Sequence, residues 1–61
     1  MEVGERVTGD VYLYASDKMV KHFHPATVEK GVSGYWITPH THLWNEFKIF
    51  WTGTLELVVE K

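Results

Sequence analysis

The chain has 61 residues and no cysteine, so it makes one small domain without disulfides, and a chain of this length buries only about 60% of its unfolded surface. A net charge of −2 with no basic run excludes the electrostatic footprint of a nucleic-acid or anionic-membrane binder. No apolar run nears the ~20 residues of a membrane span and the opening MEVGERVTGD has no signal-peptide layout, so a cytoplasmic protein is expected, stabilised by a metal or by association with itself.

In chain order, Met1 to Thr8 is polar, carries a Gly4-Glu5 turn signal, and reads as a short edge element. Gly9-Asp10 opens a β-branched and aromatic strand, Val11 to Tyr14, closed by the turn-rich Ala15-Ser16-Asp17-Lys18. Met19 to His24 follows as a strand with Val20, His22 and His24 on one face, and Pro25 is expected to end it because proline donates no ladder hydrogen bond. Ala26-Thr27-Val28 reads as a further strand and Glu29-Lys30-Gly31 as a turn. Leu55, Leu57 and Val59 alternate with Thr54, Glu56 and Glu60 in a half-buried strand, Val58 being the exception on the polar side. No helical period competes with these strands.

The most informative stretch is Gly34 to Gly53, GYWITPHTHLWNEFKIFWTG, which reads as a β-hairpin. On an extended strand His40 and His42 project to one side, and Glu46 follows after enough chain to turn a corner and return a carboxylate toward them. Two imidazoles and a carboxylate suit one divalent transition metal ion (Zn, Fe, Mn, Ni or Cu) rather than calcium or magnesium. The return strand Phe47 to Trp51 is apolar on both faces except for Lys48, which predicts burial on both sides. Tyr12, Tyr14, Phe23, Tyr35, Trp36, Phe47, Phe50 and Trp51 are expected to form the core, and Trp44 is the candidate for an exposed aromatic.

The spacing G-x5-H-x-H-x3-E-x6-G resembles the first motif of the cupin superfamily at every defining position. That resemblance implies a small all-β, double-stranded β-helix barrel whose metal sits on His40, His42, Glu46 and a further histidine from a second motif. Gly9 to His24 is loosely similar to that second motif, G-x5-P-x-G-x2-H, with Ala15 at the proline position, Asp17 at the inner glycine and the histidine two residues late. The fourth ligand would be His22, with His24 as the alternative. The two motifs stand in reversed order, so the resemblance implies a cupin-like barrel either circularly permuted or completed by dimerisation.

Three functions are consistent with such a barrel: a metal-dependent enzyme of oxygenase, isomerase or lyase type acting on a small organic molecule, a non-catalytic small-molecule binding module, or a metal-stabilised oligomer. A homodimer or larger is expected, because the motif strands alone leave sheet edges unpaired. The alternative fold is an SH3-like small barrel, suggested by the Val-Gly-Glu-Arg start and the short strands. In it the histidines would be incidental and the chain a protein-interaction module.

Overall fold

The computed structural model describes residues 1–40 and 48–59. Within them the chain is all-β: β1 (Arg6–Ala15), β2 (Lys18–Lys30), β3 (Tyr35–Pro39), β4 (Ile49–Trp51) and β5 (Thr54–Val59). They form one antiparallel sheet in the order β4-β3-β2-β1-β5. The hairpin expected across Gly34 to Gly53 is present as β3 paired with β4, Tyr35 facing Trp51 and Ile37 facing Ile49.

β4 and β5 lie at opposite edges of the sheet although only Thr52 and Gly53 separate them. So short a link forces the sheet to curl until its two edges approach at that end. The Trp51 indole holds the corner by donating to the Thr54 carbonyl oxygen at 2.9 Å. The dimensions agree: 29 × 26 × 24 Å, where one flat sheet layer would be only about 10 Å thick. The sheet is curled but not closed.

Strand alternation sorts the side chains onto two faces. The concave face carries Val11, Leu13, Ala26, Val28 and Ile37, all at most 1% exposed, with Phe23, Tyr35, Trp51, Leu55 and Leu57 packed around them. Fully burying five aliphatic side chains in one sheet needs the curl, since an open face would leave them wet. Not all the aromatics join this core. Trp36 and Phe50 pack against each other on the convex face, ring centroids 4.7 Å apart and planes tilted by 55°, and stay about two-fifths exposed (40% and 38%). The β4 residues therefore are not buried on both sides as the sequence predicts, because no second layer covers Phe50 among the described residues.

Three strand assignments change. The opening segment is not a separate element: after a Glu2–Glu5 turn it enters β1, where Arg6 to Thr8 pair with β2 and, among the described residues, β5 joins the other side only from Gly9. Gly9-Asp10 does not open a strand but lies inside β1, where a Cβ on Gly9 would fall 2.1 Å from the Val58 carbonyl oxygen. Pro25 does not end β2, which runs on to Lys30. It sits where the register slips between the pairs Gly9–Ala26 and Val11–Phe23, and at such a bulge no ladder donor is required.

Candidate metal centre

The bulge at Pro25 and a second register shift between Leu13 and Tyr14 decide where the histidines go. In an unbroken hairpin register His22 would lie opposite Val11, on the buried face. The shift beside Tyr14 adds one residue to β2, so His22 lies opposite Tyr12 instead, and a one-residue slip moves a side chain to the other face. His22 thus lands on the convex side, its ring stacked on Tyr12 with centroids 4.3 Å apart and planes 6° from parallel. His24 follows on the same side, its ring centroid 6.1 Å from that of His22.

Across the strand pair stands Asp10, on β1, and its Oδ1 is paired with His24 Nδ1. One ligand atom each from Asp10, His22 and His24 lies within 4.8 Å of the other two. Two imidazole nitrogens and a carboxylate oxygen are a donor set that suits zinc and its neighbours. Both histidines are exposed and Asp10 is half-buried, so rotation of exposed rings can bring the three donors onto one ion. An ion held by these three donors would keep coordination positions free on the solvent side.

His40 is placed differently. Its backbone N–H donates to the Pro25 carbonyl at 2.9 Å, and its Nε2 lies 2.6 Å from the Thr27 hydroxyl, which in turn meets the Thr8 hydroxyl at 3.2 Å. This hydroxyl chain runs beside the histidine–aspartate group, which does not include His40. His42, Glu46 and Trp44 lie outside the described residues. Of the expected ligands, the structure therefore unites His22 with His24, which had been alternatives, and adds Asp10. Asp10 carries no ligand signal in the sequence, because Gly9-Asp10 reads as the opening of a strand and not as part of one. Placing Asp10 inside a strand of the Ser16-Asp17 hairpin would have brought it across from the H-x-H pair.

The convex face continues beyond the group. Tyr14 donates its hydroxyl to Glu56 Oε1 at 3.0 Å. That hydrogen bond to a carboxylate, with smaller contributions from burial and from the Glu56 charge, raises the Tyr14 pKa above its ordinary 10.0. Tyr14, Asp17, Thr54 and Glu56 line a shallow groove of about 330 Å³, and Arg6, Thr27, Glu29, Thr38 and Lys48 another of about 220 Å³. Neither groove includes Asp10, His22 or His24, so the ligand group stands on an open face and not inside either hollow. Among the described residues no helix is long and apolar enough to cross a membrane. No protein-family model, curated protein or solved structure matches the chain.

Proposed function

We propose that this chain is a small metal-binding β module, holding one divalent transition metal ion on the convex face through Asp10, His22 and His24. The observation that carries the reading is the mutual approach of their three ligand atoms, within 4.8 Å, across β1 and β2. The ion ties two neighbouring strands together and keeps positions open for an outside ligand such as a small carboxylate or imidazole. An exposed site favours capture and binding over enclosed catalysis, which depends on excluding water. For the fold, a five-stranded meander whose last strand returns to pair with the first is the layout of an SH3-like small barrel, and we favour it over the cupin-like double-stranded β-helix.

A second ligand set, His40, His42 and Glu46, remains as the reading drawn from the motif spacing, supported by the exposed position of His40. Titration with zinc, followed calorimetrically, separates the two. His22→Ala, His24→Ala and Asp10→Asn should each weaken binding at least about tenfold, an effect of about 1.4 kcal/mol or more, while His40→Ala combined with His42→Ala should leave it unchanged. All of these residues but His42 are described, and among them only the half-buried Asp10 is not exposed, so circular dichroism should show the fold intact. The opposite pattern would return the site to the motif residues, and zinc binding untouched by every variant would end the metal reading.

A further inference from the structure

Among the described residues the two open edges of the sheet are β4, with three residues, and β5, with six. Natural proteins blunt a long open edge with lysine, proline, a bulge or an inward charge, because bare N–H and C=O groups template another strand. β5, TLELVV, is weakly guarded: it contains no lysine, proline or glycine, its single charge is the exposed Glu56, and it pairs with β1 from Gly9–Val59 to Tyr14–Thr54 without a register shift. At its end Val58 and Val59 point to opposite faces and are each more than half exposed (52% and 55%). We infer that β5 is a homodimerisation edge, pairing antiparallel with β5 of a second copy so that one sheet runs through both protomers.

The register follows from parity and charge. Directly opposite residues in a sheet share a face, so a two-fold axis through a β5 pair must fall on a residue and not between two. An axis at Glu56 would set two carboxylates opposite each other, and like charges in that position repel. An axis at Leu55 would leave Val58 and Val59 outside the ladder of β5 residues. An axis at Leu57 sets Leu57 against its own copy, Leu55 against the partner's Val59, and Glu56 against the partner's Val58. That register pairs no like charges, covers both exposed valines and makes the apolar concave row of Leu55, Leu57 and Val59 continuous across the interface. The two-fold axis closes the assembly at a dimer.

The chain has no native cysteine, so engineered thiols report the pairing without background. Under mild oxidation a mixture of Glu56→Cys and Val58→Cys chains should give a disulfide-linked heterodimer, and Leu57→Cys alone should give a linked homodimer. Glu56→Cys alone should not cross-link. Light scattering of the wild type across a dilution series should show a dimer, and Val58→Lys, at an exposed position, should raise its dissociation constant at least about tenfold while circular dichroism stays native. A folded wild type that is monomeric at every concentration overturns the interface. Rapid self-linking of Glu56→Cys, with no linked heterodimer in the mixture, overturns the register.

Discussion

Single atoms decide several positions in this chain. Gly34, the first residue of the motif-like spacing, is buried, and a Cβ there would lie 2.5 Å from the Trp51 carbonyl oxygen and 2.8 Å from the Phe50 ring. The glycine is thus explained by the close approach of β4 to the start of β3, whatever the origin of the spacing. Because the nearest obstacle is backbone, Gly34→Ala should force the hairpin apart and cost about 1–3 kcal/mol, measurable as a lower urea midpoint with unchanged slope. Tyr14 gives a second handle. Its pKa is raised in the folded chain, so the stabilisation from its bond to Glu56 is fully present below pH 10, the ordinary tyrosine value, and lost as pH rises through the higher folded value. Ultraviolet titration should show a phenol ionising above that ordinary value, absent in Tyr14→Phe and returned toward 10 in Glu56→Gln. A Tyr14 titration indifferent to Glu56→Gln would refute the hydrogen-bond cause.

At the scale of elements, the sequence makes the strands plain and the register obscure. Alternation in Val11 to Tyr14 and in Leu55 to Val59 places β1 and β5, and the Gly34 to Gly53 hairpin is placed by its length and its two apolar arms. The bulges carry no sequence signal of comparable strength, and they decide which face the histidines take: without the extra residue in β2, His22 would point at Val11 and the core. The proposed ligand group is therefore half legible, as an H-x-H pair, while its carboxylate depends on a register no periodicity reveals. The turn before β2 is legible as a turn but poor in its chemistry. Ser16 and Asp17 both have positive φ, 52° and 67°, in a two-residue link of the type that favours Asn-Gly. Left-handed backbone costs a side-chain-bearing residue about 1–2 kcal/mol. Replacing Ser16 by Asn and Asp17 by Gly should accordingly stabilise the chain by about 1 kcal/mol, and a lowered thermal midpoint would contradict the turn assignment. Asp17 also lines the groove beside Tyr14, so the same variant tests whether that groove contributes anything to binding.

For the molecule as a whole, the decisive quantity is the small size of the core. Among the described residues five aliphatic side chains are fully buried and the large aromatics are divided between the rim of the core and the convex face, and a domain below about 70 residues rarely gains more than 3–5 kcal/mol from a core of this kind. Leu13, 1% exposed, is the largest of the five together with Ile37, and Leu13→Ala at such a site costs about 2–5 kcal/mol. The variant should be mostly unfolded on its own. The proposed metal site offers a way back, because Asp10 and the two histidines come from different strands and their grouping exists only when β1 and β2 are paired. A ligand that binds the folded chain alone adds about 2.7 kcal/mol of stability at a hundred times its dissociation constant. For a domain of this size that raises the wild-type melting temperature by about 10–20 °C. Zinc should therefore raise the wild-type melting temperature and restore folded circular dichroism to Leu13→Ala. The same zinc should do neither once His24→Ala is added, since the unpaired strands then have nothing to hold. Binding of zinc to the wild type with no change in its melting temperature would mean that the ion sits on ligands already together in the unfolded chain, such as His22 and His24 without Asp10, and the strand-bridging site would be wrong.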